Sequence, residues 1–265
     1  MNSKAIKRQL LAAIAMVLVA AIALGSSTYA WFVQSNTVTA EGMKVQAQAE
    51  GGIEISNSEG KNWASTAAAT ITNTTGLYPT STQNTSVWYH AKAAAANAKD
   101  AKDGSYEQLN LNDTGTCTTP GDFQNKQFYL VNKFLIHATS GTSAKDLVID
   151  KVTVTADAAN TTALDKSLRV AVKAGSTTYI YSPNGGDTSY SVWGGTALDA
   201  SVTANDGTTS VKTSVSTISS ANATEVSIYV WYEGEDANHF SNNLAKTVDT
   251  LSVTVQFSAT TGEAA

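Results

Sequence analysis

Apolar and polar residues alternate along most of this chain. Met43, Val45, Ala47 and Ala49 alternate with Lys44, Gln46 and Gln48, and Ile53 and Ile55 follow Gly51-Gly52. Phe128, Leu130, then Phe134 and Ile136 mark a long strand or a strand with an irregularity near Asn132. Val148, Val152 and Val154 share one face, which Asp150 interrupts; Leu168, Val170 and Val172 share another, with Arg169 and Lys173 pointing away. The same period returns in Val226, Ile228, Val230 and Tyr232, and in Leu251, Val253, Val255 and Phe257. A period of two puts every apolar side chain of a strand on one sheet face. Several half-buried strands of this kind predict two sheets packed face to face.

The connections agree with that reading. Pro183-Asn-Gly-Gly186, Asn205-Asp-Gly207 and Gly194-Gly195 are turn chemistry between strand-like runs. Residues 57–86 and 196–224 are rich in Thr, Ser and Asn and read as long connections or weak edge strands. One stretch, His90 to Asp103, has helical composition: it is Ala-rich, spaces Lys and Asp three to four apart, and meets a stop at Gly104. The expectation is an all-β chain, a single jelly-roll-like β-sandwich over residues 43–265 with a small helical insertion near 87–125.

The N-terminus departs from this pattern. Lys4, Lys7 and Arg8 precede an apolar run from Leu10 to Leu24, followed by Gly25-Ser-Ser-Thr28-Tyr-Ala30-Trp31-Phe32. A basic start, a short apolar segment and small residues at Thr28 and Ala30 compose a secretory signal peptide. The run falls short of the roughly 20 residues that span a bilayer as a helix. Residues 1–30 are therefore read as a leader, cleaved between Ala30 and Trp31; an uncleaved anchor is the alternative, and it supplies the one expected membrane contact. The expected location is outside the cell, in the matrix or at the surface.

Charge narrows the partners. Removing the leader takes three cations from a chain of formal charge −5, so residues 31–265 carry −8. A secreted acidic protein is a poor ligand for nucleic acid or for an anionic membrane. The single cysteine, Cys117, lies in a Thr/Gly/Pro loop, so no disulfide can form within the chain. Charged residues are only 15% of the total, and the many Thr and Val positions suit strands better than disorder.

No constellation for catalysis stands out. His90, His137 and His239 are far apart, and there is no His-Glu-x-x-His helix, Cys-x-x-Cys pair, Gly-x-Ser-x-Gly elbow or phosphate loop. No enzyme activity and no cofactor are expected. The one acidic cluster is Glu233, Glu235 and Asp236 beyond the Val226–Tyr232 run, where carboxylates on a loop are weak candidates for Ca²⁺. Their spacing is not that of a calcium-binding loop, so a solvated turn is the plainer reading. Trp88-Tyr89 and Trp231-Tyr232 set pairs of large rings on opposite strand faces; sandwich packing or a sugar-binding platform would use them alike.

The leader junction and the segment Val38-Thr-Ala-Glu-Gly42-Met-Lys-Val45, together with Ile228 to Asp236 and Val253 to Phe257, resemble the TasA/camelysin-type exported proteins of Gram-positive bacteria. The resemblance implies a jelly-roll subunit of an extracellular, biofilm-matrix-like fibre. Its implied mechanism is strand donation by residues 31–42, with Trp31, Phe32, Val33 and Val38 filling pockets on a neighbouring copy. Each such side chain, fully buried, contributes roughly 1.5–3 kcal/mol, against an association cost of ~4–15 kcal/mol. A head-to-tail contact of this kind does not close, so it grows a filament. The expected partner is the chain itself, with other matrix or surface components in addition. The alternative is a monomeric cell-surface adhesin or carbohydrate-binding module.

Overall fold

The computed structural model describes residues 16–17, 44–49, 52–57, 60–70, 77–91, 106–121, 123–140, 144–156, 166–183, 202–205, 213–234, 236 and 251–261. These residues are all-β apart from short turns, a single 3₁₀ turn at Lys166–Ser167 and the helical pair Met16–Val17. In chain order the strands are β1 (Lys44–Ala49), β2 (Ile53–Ser56), β3 (Thr66–Thr70), β4 (Ser81–Thr82), β5 (Trp88–Ala91), β6 (Tyr106–Leu109) and β7 (Tyr129–Ala138). They continue as β8 (Ala144–Ala156), β9 (Leu168–Ala174), β10 (Thr177–Tyr181), β11 (Val202–Asn205), β12 (Thr213–Thr217), β13 (Thr224–Tyr232) and β14 (Leu251–Thr261).

Two sheets share one core. The first runs β12-β8-β14-β1-β3, the second β11-β10-β9-β13-β7-β2. Val45, Ala47, Val253, Val255 and Phe257 of the first meet Val170, Val172, Ile228, Val230, Phe134 and Ile136 of the second, and all are fully buried. The alternation of β1, β13 and β14 is thus realised as read from the sequence. So are the weak edges: β3, β11 and β12, from the Thr/Ser-rich stretches, are each four or five residues long and terminate a sheet. Two ladders are parallel, β1 with β14 and β10 with β11; the other strand pairs are antiparallel.

Two expectations need correction, and one open alternative is decided. The helix expected from His90 does not begin there: His90 and Ala91 close strand β5, and Tyr106–Leu109 form β6. Residues 92–105 lie outside the described residues, so the described part of the 87–125 insertion is strand and turn. Burial of Trp88, 3% exposed, outweighs local propensity at this point. Secondly, of the two forms open for β7 the structure takes the long strand without an irregularity at Asn132; its ladder with β13 runs unbroken from Tyr129↔Trp231 to Ile136↔Thr224. Thirdly, the bulge sits in β8 at Asp150, where Lys151 pairs with Gln256 and Ile149 with Phe257. An extra residue flips the face of everything beyond it. The core set is therefore Leu147, Ile149, Val152 and Val154, and Val148 is buried outside that cluster.

The second sheet is covered on both faces. Along β13, Val226, Ile228, Val230 and Tyr232 face the inner core, while Tyr229 and Trp231 belong to a second cluster on the outer face. The third sheet, β4-β5-β6, and the segment 110–128 supply the other half of that cluster through Trp88, Leu109, Cys117 and Phe128. Cover on two sides explains why all five residues from Leu168 to Val172 are buried.

Candidate functional site

The outer face of the second sheet holds the densest arrangement of rings and polar groups. Trp88 stacks on Tyr129 at 4.4 Å between centroids, and Trp231 meets Trp88 edge-on at 5.3 Å. Tyr229 packs edge-to-face against Tyr129 at 5.5 Å. Such offset and edge contacts suit the ring quadrupoles. A segment of 110–117 is tied over them. Asn112 Oδ1 accepts from the backbone N–H groups of Thr114 and Thr116, and the Tyr129 hydroxyl donates to the Asn112 carbonyl at 3.1 Å. Gly115 permits the fit: its φ is +87°, and a Cβ there would stand 2.3 Å from the Tyr129 carbonyl oxygen.

Beside this stack lies an open groove of about 440 Å³, floored by Tyr129, Val131 and Tyr229 and rimmed by Asn110, Asn112 and Asp113. Burial pushes the Tyr129 hydroxyl up to about 12, with the Tyr229 and Asp113 charges adding to the shift. Tyr229 is raised as well, burial first. Both hydroxyls are donors at any physiological pH.

A smaller cavity of about 180 Å³ is lined by His90, Glu107, Cys117 and Phe123. His90 Nε2 sits 2.8 Å from Glu107 Oε1, and its ring meets Phe123 edge-on. Cys117 is a buried free thiol directed at the Thr119 carbonyl at 4.0 Å. The sequence placed these residues far apart; the pairing of β5 with β6, His90 opposite Glu107, brings two of them together. His137, on β7, packs at a tilt of 55° against Trp63, 3.9 Å between ring centroids, and lies 3.3 Å from Glu54.

The acidic cluster is split among separate partners. Asp236, 1% exposed, takes the guanidinium of Arg169 at 2.5 Å, and Glu233 accepts the Trp231 indole N–H at 3.2 Å. Glu235 lies outside the described residues. The turn is thus not solvated: it is a buried ionic lock at the end of β13. Arg169, which points away from the inner core as read from the sequence, is buried by it. The lock also holds the third sheet, since Thr80 N–H donates to the Tyr232 carbonyl and Gly234 N–H to the Thr80 carbonyl. Among the described residues no group of three His, Cys, Asp or Glu side chains is arranged to hold a metal ion.

Ala30, Trp31, Phe32, Val33 and Val38, the residues expected at the leader junction and in strand donation, lie outside the described residues, as does His239. Of the leader only Met16 and Val17, both exposed, are described. No helix among the described residues is long and apolar enough to cross a membrane.

No protein-family model, no curated protein and no solved structure matches this chain.

Proposed function

We propose that this chain is a structural subunit of an extracellular filament. Residues 1–30 direct export, and residues 31–42 join subunits head to tail by adding as a strand to a neighbouring copy. The two packed sheets are read as a jelly roll, the scaffold for that exchange. The observation that carries the reading is the position of β1. It is the first strand among the described residues, and it lies inside its sheet between β14 and β3. With both of its sides already paired, β1 leaves the residues before Lys44 to find their partner elsewhere if they form a strand. That segment is β-branched at Val33, Thr37, Val38 and Thr39, with no proline and no charge before Glu41.

The adhesin reading draws less support. Trp88 and Trp231, the rings that suggested a sugar platform, are 3% and 0% exposed and serve the outer cluster. A ring sealed on both faces has no face to offer a sugar. The catalytic reading has still less, because the Cys117 thiol is buried against a carbonyl and His90 is engaged by Glu107.

Deleting residues 31–40 tests the proposal. The variant is expected to keep its strand content by circular dichroism and to lose fibres in negative-stain electron micrographs. Fibres of unchanged number and length would overturn strand donation.

A further inference from the structure

The long strand β7 is paired over most of its length on one side only. Toward β13 its ladder covers Tyr129 to Ile136. Toward β2 it covers only Leu135 to Ala138, ending at Ser56↔Leu135. Among the described residues no strand pairs with Leu130–Phe134 on that side. The gap is built by a turn. Ser56 Oγ donates to the Lys61 carbonyl, Ile55 and Ala64 exchange two backbone hydrogen bonds, and Gly60 and Asn62 take positive φ. The chain is thereby carried off to β3 in the other sheet.

The backbone on this edge faces outward. Ala138 N–H donates to Ser219 ahead of β13, while Thr139 N–H donates to Gly52 ahead of β2. Directions alternate along an unbulged strand, so the N–H and C=O groups of Val131 and Lys133 point to the β2 side, past its end. Two further features mark the place. Asn132 shares the inner face with Leu130 and Phe134, and its Nδ2 is buried with no hydrogen-bond partner. On the outer face the groove floored by Tyr129, Val131 and Tyr229 runs alongside. β8, paired with β14 on one side, has no described partner on its β12 side over Asp150–Ala156, but the chain leading into β12 there, residues 206–212, lies outside the described residues.

We infer that the bare edge of β7 at Leu130–Phe134 is the acceptor for residues 31–42 of a second copy of this chain. The inference rests on the filament reading and gives it an address. The edge is five residues, about 17 Å of strand at ~3.3 Å per residue, and the donor, residues 31–42, covers it with length to spare. The donor's alternation fits both sides of it. Phe32, Gln34, Asn36 and Val38 form one face, apolar at its ends and polar in the middle, like Leu130, Asn132 and Phe134. An amide oxygen of Gln34 or Asn36 satisfies the Asn132 Nδ2. Trp31 and Val33, on the other face, lie beside Val131 and Tyr229 in the groove. Backbone pairing supplies the attachment, and these side chains set the register.

The test uses the chain expressed from residue 41 on, which keeps every described strand, and a synthetic peptide of residues 31–42. Hydrogen exchange of the wild-type chain is expected to slow about tenfold at the Val131 and Lys133 amides when peptide is added. Lys133→Pro removes one outward N–H without touching the β13 ladder and is expected to weaken peptide binding about tenfold, one lost hydrogen bond to a rigid edge. Lys133→Ala, which keeps the N–H, is expected to bind as wild type. If Lys133→Pro does not fold, the exchange footprint on the wild-type chain decides alone. Protection that appears at β3, β8 or β12 instead, or equal binding by folded Lys133→Pro, overturns this acceptor while leaving strand donation standing. A peptide that binds nowhere, together with fibres that survive the 31–40 deletion, overturns both.

Discussion

The two faces of the second sheet are held by different physics. The inner face is mainly aliphatic: Val170, Val172, Val226, Ile228 and Val230 meet the first sheet, with rings such as Phe134 and Tyr232 packed beside them. The outer face is aromatic and directional: stacked rings, an indole N–H on Glu233, a guanidinium on Asp236 and a tyrosine hydroxyl on a loop carbonyl. An aliphatic core tolerates any shape of the right volume. A polar and aromatic one has a single arrangement that satisfies its groups, and loses much when one partner goes. The inner face therefore sets that the sandwich forms, and the outer face sets where the third sheet and the groove sit.

The largest break is expected at the ionic lock. Asp236→Ala leaves the Arg169 guanidinium, 1% exposed, without its carboxylate. Orphaning one member of a buried pair costs about 3–5 kcal/mol. Replacing both with apolar residues, Arg169→Met with Asp236→Leu, is expected to recover most of that loss. Urea unfolding of the single and double variants checks it. A double variant no more stable than Asp236→Ala would show that the lock's other contacts dominate.

The inner face should respond by volume instead. Ile228, fully buried on β13, is expected to lose about 2–4 kcal/mol as Ile228→Ala and about 1 kcal/mol as Ile228→Val. The two losses should scale with the carbon removed, and the unfolding slope m should stay constant. A Val variant as damaging as the Ala variant would mean that shape, not volume, rules this face too.

Much of the inner face was legible in the sequence, because a period of two survives wherever one side of a strand is buried and the other wet. Val253, Val255 and Phe257 are readable for that reason. The outer face was not. β9 and β13 are covered on both sides, and their outer partners arrive from residues 78–128, distant in sequence. Arg169 was read correctly as pointing away from the core, but nothing local tells that Asp236 waits there. The bulge at Asp150 was visible as a polar residue in an apolar run, yet its consequence for Val148 depends on the register with β14. The Ala-rich run misleads at its first two residues, His90 and Ala91, since its helical composition carries no information about the Trp88 anchor that pulls its start into a strand. The edge of β7 that no described residue pairs has no sequence signature at all: it arises because β2 is four residues long and β7 is ten.

The groove's loop gives a more local contrast. Gly115→Ala puts a methyl group against the Tyr129 carbonyl in a left-handed backbone conformation. A cost of about 1–3 kcal/mol is expected, with the loss confined to the outer face. Exchange should speed at Asn112, Thr116 and Phe128, and the β1–β14 ladder should keep its protection. Uniform loss across both sheets would mean that the outer layer and the sandwich unfold as one unit.

The smallest effect separates the faces by pH. The Tyr129 hydroxyl is raised to about 12 in the fold, chiefly by burial, against about 10 in an unfolded chain. Between those values the unfolded chain has given up its proton and the folded one has not. Stability is therefore whole below about pH 10 and falls as pH rises toward about 12. Tyr229, raised in the same direction, adds to the fall. Tyr129→Phe removes this dependence and also the hydrogen bond to Asn112, worth about 0.5–1.5 kcal/mol. The variant should thus be less stable at neutral pH but lose less on alkalinisation, so that the two stability curves converge above about pH 10. Ile228→Val, on the inner face, should run parallel to wild type throughout. Parallel curves for Tyr129→Phe as well would mean that the hydroxyl titrates in the fold as it does in water, and that the outer cluster is wetter than its packing implies.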